Sequence, residues 1–154
     1  MNETKRRLIE EQLQELLADP RVQLMKGFKA HGCKSVYDHC LDVALKAYEL
    51  DELTGCRCDR QTLLRGALLH DFYLYDWHET RAKVPFFQKH GFSHPAIACE
   101  NARKYLQVDD AVAEVIRCHM WPLTLRSFPS SREAMIVCLA DKYCALRETL
   151  RRWR

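Results

Sequence analysis

The sequence predicts an all-α fold, with a single compact domain of about six to eight helices. Three observations support this prediction. Glycine and proline are scarce, with five of each in 154 residues. Apolar residues recur at spacings of three and four, which is typical of helices, whereas the strict alternation typical of strands is hard to find. The length suits one domain with a substantial core rather than two domains.

The chain begins with a charged segment that is expected to be helical. The predicted helix covers residues 3–18 and ends at Asp19-Pro20, because proline does not continue a helix. A short helix or turn is expected over 22–28. The next segment, "KAHGCK", is expected to be a loop that leads into the main helical part of the chain.

Two helices with clear start signals follow this loop. Ser35-Val36-Tyr37-Asp38 has the form of a capping box with Ser35 as the N-cap, and its helix should run to about Leu50. Asp59 can cap the next helix, which is apolar and reaches His70-Asp71. A histidine and an aspartate thus stand at the buried end of an apolar helix.

Three more helices are expected after an irregular, aromatic-rich segment. That segment covers residues 73–92, contains Pro85 and Gly91, and has room for one short helix. We expect it to form part of a pocket mouth. The three later helices are expected from the cap Ser93 to Leu106, from the cap Asp109 to Met120, and from the cap Ser130 to Arg151. Pro95 lies in the first turn of the first of these helices, and Ser130 forms a second capping box with Glu133.

Composition excludes several classes of protein. A net charge of +3 is too small to indicate a nucleic-acid partner by itself. No apolar run approaches the roughly 18 residues of a membrane-spanning helix. The first twenty residues are charged throughout and lack the apolar core of a signal peptide. We therefore expect a cytoplasmic protein with no membrane partner.

Eight cysteines raise the question of disulfides or zinc. None forms the Cys-x-x-Cys pair of a zinc knuckle, and the nearest approach is Cys56-Arg-Cys58. Most lie in predicted helices, where a free cysteine behaves as a small apolar residue. Reduced thiols are therefore expected.

Histidines and aspartates recur on the apolar faces of the predicted helices. His39 shares a face with Val36 and Val43, and His119 shares one with Val115 and Ile116. His94 lies near the start of a helix, and Asp141 lies in the middle of the last one among alanine, valine and cysteine. A buried carboxylate costs several kcal/mol unless it is paired or bound to a metal. With His70-Asp71, these placements come from five helices of one small domain.

A metal centre explains these placements together. Imidazole and carboxylate groups bind Mn, Fe, Co, Ni or Zn. Four histidines and two aspartates are too many for one tetrahedral ion, and they suit two ions that share a bridging carboxylate. Helical bundles build such sites from side chains on facing helices. The predicted cofactors are therefore two divalent transition-metal ions of unspecified identity.

The ordered set resembles the HD-domain superfamily of metal-dependent phosphohydrolases. Its core pattern, H…HD…D, matches His39, His70-Asp71 and the aspartate of "CLADKYCA", Asp141. Two further histidines, His94 in "GFSHPAIACENA" and His119 in "IRCHMWPL", match the version that holds a second metal. The resemblance covers about residues 31–150, so the chain 1–154 is interpreted as one HD-type domain with an N-terminal helix over 1–20.

The resemblance implies roles for these residues. His39, His70, Asp71 and Asp141 would hold the first ion, and Asp71 would bridge to a second ion completed by His94 and His119. The chain also departs from known subgroups, because it has no Gly-Tyr-Pro motif and no "IGK" after His70-Asp71. The position three residues past Asp71, which is acidic in some nucleotide-hydrolysing members, is Leu74.

The leading hypothesis is hydrolysis of a small phosphorylated substrate by a metal-activated water, with Asp71 at the centre. Asp76 or His78 is a candidate proton donor. Lys142, Arg81 or Lys83 is a candidate for contact with phosphate.

Two alternatives remain open. Some superfamily members, such as myo-inositol oxygenase, use a similar ligand set to hold two irons and activate O₂, here on a diol or a phosphonate. The second alternative is a non-catalytic module that binds nucleic acid or an anionic surface through basic ends such as Lys5-Arg6-Arg7. The Glu residues beside these ends make a nucleic-acid partner the weaker interpretation. The sequence does not indicate the oligomeric state.

Overall fold

A computed structural model describes residues 3–30, 34–76 and 90–151. Within these ranges the regular structure is helical, apart from an isolated β-bridge between Lys29 and Ser35 and a 3₁₀ turn at Met25–Gly27. The all-α prediction is therefore confirmed. The helices are α1 Glu3–Gln12, α2 Gln14–Ala18, α3 Pro20–Leu24, α4 Val36–Leu53, α5 Arg60–Leu69, α6 His90–Leu106, α7 Asp110–Cys118 and α8 Arg132–Arg151.

Helix α4 lies at the centre of the domain. It packs against α5 on one side and α8 on another, and α5, α7 and α8 also contact one another. Its buried face is broad because apolar and small residues occupy most of its turns, including Val36, Cys40, Val43, Ala44 and Ala47. The bundle thus buries the helix faces on which the sequence places its histidines and aspartates.

Three predicted caps are confirmed. The Ser35 side chain accepts a hydrogen bond from the backbone N–H of Asp38 at 3.1 Å. Asp59 accepts one from Thr62 at 2.7 Å, and Asp109 accepts one from Val112 at 2.9 Å. Each side chain satisfies an N–H group that has no partner within its own helix.

Two predicted helix starts are wrong. Helix α6 begins at His90, three residues before Ser93, and the Ser93 hydroxyl hydrogen-bonds to Tyr75 instead of capping the helix. At α8 the N-cap is Ser131, whose hydroxyl accepts from the N–H of Ala134 at 3.2 Å. Ser130 instead binds Glu114 of the neighbouring helix. In both cases a tertiary partner engages the serine predicted to be the cap.

Two boundaries also differ. The N-terminal helix predicted as one piece is divided at Leu13 into α1 and α2, and Asp19 caps a new helix that starts at Pro20. Proline fits the first turn of a helix because its missing N–H has no partner there. Helix α4 continues to Leu53, beyond the predicted end at Leu50.

A close approach of α5 and α7 has consequences for the site. A Cβ atom on Gly66 would lie 2.5 Å from Cγ1 of Val115, so only glycine permits this separation. Four residues later on each helix stand His70 and His119, whose ring centroids are 4.8 Å apart. The two helices therefore run side by side in the same direction, and the contact at Gly66 sets the distance between the histidines at their ends.

Two further expectations concern membranes and thiols. Among the residues that the structure describes, no helix combines the length and apolarity needed to cross a membrane. The seven cysteines within the described ranges are all unpaired, as expected for reduced thiols.

Candidate metal centre

The six residues predicted as metal ligands converge in the interior of the bundle. Each is buried, with at most 7% of its surface exposed. They come from different elements: His39 from α4, His70 and Asp71 from the end of α5, His94 from α6, His119 from the end of α7 and Asp141 from α8.

Two of the histidines are oriented by their own helices. His70 and His119 are the C-cap residues of α5 and α7. The Nδ1 of His70 lies 2.8 Å from the carbonyl of Ala67, and the Nδ1 of His119 lies 2.7 Å from the carbonyl of Ile116. A carbonyl can only accept, so Nδ1 is a donor in each ring and Nε2 is the nitrogen directed toward the interior.

His39 is oriented by a carboxylate instead. Its Nδ1 lies 3.0 Å from Oε2 of Glu148, and its Nε2 lies 3.1 Å from Oδ1 of Asp141. This arrangement again directs Nε2 toward the interior of the cluster.

His94 completes the other side of the cluster. Its Nε2 lies 2.8 Å from Nε2 of His119 and 3.2 Å from Oδ1 of Asp71. Nε2 of His119 carries a lone pair, and Oδ1 of Asp71 belongs to a carboxylate. The two ligand atoms therefore converge on the same small region beside His94. Such convergence is typical of a metal site.

Two ligand atoms of the cluster are buried without a hydrogen-bond partner among the described residues: Nε2 of His70 and Oδ1 of Asp71. The Oδ1 atom is close to His94, but the contact does not have hydrogen-bond geometry. His70 Nε2 lies 3.6 Å from a carboxylate oxygen of both Asp71 and Asp141. An unsatisfied buried donor or acceptor is costly. Coordination of a cation would satisfy both atoms, so the residues fit a metal centre.

The ligand atoms group into sets that could each hold one ion. The atoms of each set lie within 4.8 Å of one another. Asp71, His70 and His119 each belong to two of these sets, and Asp71 is the carboxylate among them. The sets are His39, His70 and Asp71; His70, His119 and Asp141; and Asp71, His94 and His119.

Comparison with known families agrees with this geometry. The family model described as the HD domain matches residues 36–146, which is most of the chain. The chain belongs to the HD-domain family. No curated protein and no solved structure matched the chain.

The ionisation of the HD site couples its histidines to its carboxylates. Burial disfavours a charge on His39, yet Asp141 and Glu148 raise its pKa to about 10. Burial would raise the pKa of the Asp71 carboxyl, but the charge of His70 and the close approach of His94 hold it well below its usual range. In the metal-free chain, protons on histidine therefore balance the buried carboxylates.

His119 does not take up a proton in this way. The pKa of His119 falls to about 3 because burial and the charges of His70 and His94 oppose protonation. His119 is thus a neutral imidazole, which is the form that binds metals.

The two other predicted catalytic residues lie near the HD site, but their roles stay predictions. The ammonium group of Lys142 donates to the carbonyl of His119 at 2.7 Å and to that of Cys138 at 3.4 Å. Asp76 is half-buried, and its charge acts on the hydroxyl of Tyr73. His78, Arg81, Lys83 and most of the expected pocket-mouth segment lie outside the described residues.

Two residues that support the site were not predicted. Glu148 holds His39, and its position seven residues after Asp141 places it two turns along the same face of α8. That spacing was a usable signal. The amide of Asn101 donates to the carbonyl of Phe72 at 3.0 Å, which fixes the backbone directly after His70-Asp71. Nothing in the local sequence indicates this contact.

Proposed function

We propose that this HD domain is a metal-dependent phosphohydrolase that cleaves a phosphoester of a nucleotide or another small phosphorylated metabolite. The observation that supports this most directly is the pair of ligand sets that share Asp71. Two closely spaced cation sites with a common carboxylate are typical of enzymes that hydrolyse phosphoesters.

The residues divide into two ligand groups in this proposal. By the family resemblance, His39, His70, Asp71 and Asp141 would hold the first ion, and Asp71, His94 and His119 would hold the second. Two of the geometric sets, His39–His70–Asp71 and Asp71–His94–His119, fall within these groups. When bound, two divalent ions supply a water of lowered pKa and positive charge for phosphoryl oxygens.

The ligand residues also determine the net charge of the loaded site. Two aspartates contribute two negative charges, and the Nε2-directed histidines are neutral when they bind metal. These two negative charges balance half of the four positive charges of two divalent ions. The loaded site would therefore stay cationic and attract an anionic phosphoester.

Asp76 and Lys142 keep their proposed roles in proton donation and phosphate contact. The hydrogen bond from Lys142 to the His119 carbonyl offers a structural alternative. Kinetics of the Lys142→Met variant separates the two. A raised KM with unchanged metal content supports phosphate contact, whereas a lower melting temperature with unchanged KM shows a structural role.

A panel of phosphoesters tests the proposed function. Protein loaded with Mn, Co, Ni, Zn or Fe should release phosphate from at least one nucleotide or small phosphorylated metabolite. Asp71→Ala should abolish turnover while the circular dichroism spectrum stays helical. The matched control is Asp110→Ala, since the Asp110 side chain is 93% exposed and lies outside the ligand sets. Unchanged turnover in Asp71→Ala would contradict the proposal.

A di-iron oxygenase is the second candidate, because a set of four histidines and two carboxylates also suits two irons. Oxygen consumption by the iron-loaded protein with a diol or phosphonate would favour it. Phosphate release with Mn in the absence of O₂ would favour hydrolysis.

The contacts give less support to a nucleic-acid partner. Lys5 is paired with Glu52, and Arg6 is paired with Glu10 at 2.9 Å. These internal partners reduce the charge that the basic N-terminal segment presents to a polyanion. A small phosphorylated molecule is therefore the proposed partner.

A further inference from the structure

We propose that Glu148 is a positioning residue that orients His39 and makes it a stronger ligand for the metal ion that it holds. This inference rests on the proposed metal centre, and it adds a residue outside the predicted ligand set.

The contact that supports the inference is buried and specific. Glu148 is 5% exposed, and its Oε2 lies 3.0 Å from Nδ1 of His39. With Nδ1 held by this carboxylate, Nε2 faces Asp141 at 3.1 Å. A carboxylate behind a metal-binding histidine fixes its ring orientation and makes the ligand nitrogen more basic.

The other histidines with a known Nδ1 partner have a neutral one. His70 and His119 donate to backbone carbonyls of their own helices, at 2.8 and 2.7 Å. A carbonyl orients the ring but brings no full charge. Of these three histidines, His39 is therefore the one backed by a full negative charge.

The surroundings of Glu148 favour a role directed at His39. Its other oxygen, Oε1, has no hydrogen-bond partner among the described residues. The nearest cation to that oxygen is the ammonium group of Lys34, at 3.8 Å, and Lys34 makes its shorter contact with Asp42. Arg147 also binds Asp42, at 3.0 Å. The hydrogen bond of Glu148 is thus made to His39, whereas the nearby cations are bound by Asp42.

This difference provides matched variants. Glu148→Ala removes the partner of His39. Glu148→Gln keeps an oxygen that can accept from Nδ1 but removes the charge. Asp51→Asn is the matched control, because it removes the charge of a buried carboxylate on α4 that accepts from the backbone N–H groups of Arg57 and Cys58 instead of a site histidine. A role in positioning His39 predicts a different result for each variant.

The experiment is a titration of metal-free protein with Co²⁺ or Mn²⁺ in competition with a chelator. Wild type should bind two ions. Glu148→Ala should weaken one binding step about 10- to 100-fold, the same step that is lost in His39→Ala, and leave the other nearly unchanged. Glu148→Gln should lie between wild type and Glu148→Ala, and Asp51→Asn should bind like wild type. The ligand-field absorption of the Co²⁺ bound in the weakened step should change in Glu148→Ala.

Several outcomes would overturn the inference. Wild-type affinity in both steps of Glu148→Ala, or weakening of a step other than the one lost in His39→Ala, would contradict it while leaving the metal centre intact. Equal losses in Asp51→Asn and Glu148→Ala would show a general structural effect. Should Glu148→Ala fail to fold, Glu148→Gln provides the same test, and wild-type affinity there would contradict a role for the charge. A wild-type chain that binds no metal would overturn both this inference and the proposed function.

Discussion

The two halves of the site, one around His39 and the other around His94 and His119, use similar ligands but anchor His39 and His119 differently. In the first half, His39 is held by Glu148, a residue 109 positions away in the chain. In the second half, His119 is held by the carbonyl of Ile116, three residues earlier. A local anchor forms wherever the helix forms, whereas a remote anchor depends on the packing of α4 against α8. The comparison indicates that the anchor of His39 is more sensitive to core packing than the anchor of His119, and that it carries a full charge.

Replacing one histidine in each half should produce the largest effects. His39→Ala and His119→Ala should each lower kcat/KM by at least about 100-fold, because each leaves one ion poorly held. His119→Ala should keep the ion that His39 holds, and His39→Ala should lose that ion. Metal content after dialysis, measured together with phosphate release, checks this difference. Loss of the same step in both variants would show that the halves are not separable.

A substitution at Gly66 should disturb the geometry that joins the halves. Its Cβ would meet the side chain of Val115 at 2.5 Å, so α5 and α7 must separate. Gly66→Ala should lower the free energy of unfolding by about 1–3 kcal/mol and weaken metal binding, since His70 and His119 lie one turn further on. Chemical denaturation and metal titration measure the two effects. Gly27→Ala is the control, since a Cβ there meets nothing within 4 Å.

The charge difference between the halves predicts a pH dependence for the metal-free protein. The folded pKa of His39, about 10, lies above its ordinary value of 6.5. Its contribution to stability is therefore complete below pH 6.5 and is lost as the pH rises toward 10. The lowered pKa of the Asp71 carboxyl has the opposite sign, since its contribution is present above 3.8 and is lost on acidification.

Thermal unfolding with a chelator should therefore show falling stability between pH 6.5 and pH 10. With saturating Mn²⁺ the same interval should show a smaller fall or a rise, because the ion replaces the protons on the histidines. Identical curves with and without metal would contradict this account.

The smallest predicted effect concerns the caps of α5 and α7. Asp59→Ala and Asp109→Ala each remove one hydrogen bond to a helix N-terminus, and each should cost about 1 kcal/mol of stability. Both caps lie at the opposite end of the helix from the site histidine. Denaturation should therefore show the loss, while metal affinity stays close to that of wild type. A large drop in affinity would show that the halves are coupled through the whole helix.

Much of this architecture could be predicted from the sequence because its determinants are local. His70 and His119 stand at the ends of apolar helices, and helical periodicity alone places them inside. The start of α6 could not be predicted in this way, because Ser93 is engaged by Tyr75 from another part of the chain. Glu148 lies on the same face of α8 as Asp141, but its contact with His39 also depends on the packing of α8 against α4.

The central claim is that two ions share Asp71, and metal stoichiometry tests it most directly. Wild-type protein, loaded without oxygen and freed of excess metal, should contain two divalent ions per chain by elemental analysis. Asp71→Ala should contain fewer than one ion per chain, because both proposed ligand groups include Asp71. One ion per wild-type chain, or two ions in Asp71→Ala, would contradict the claim.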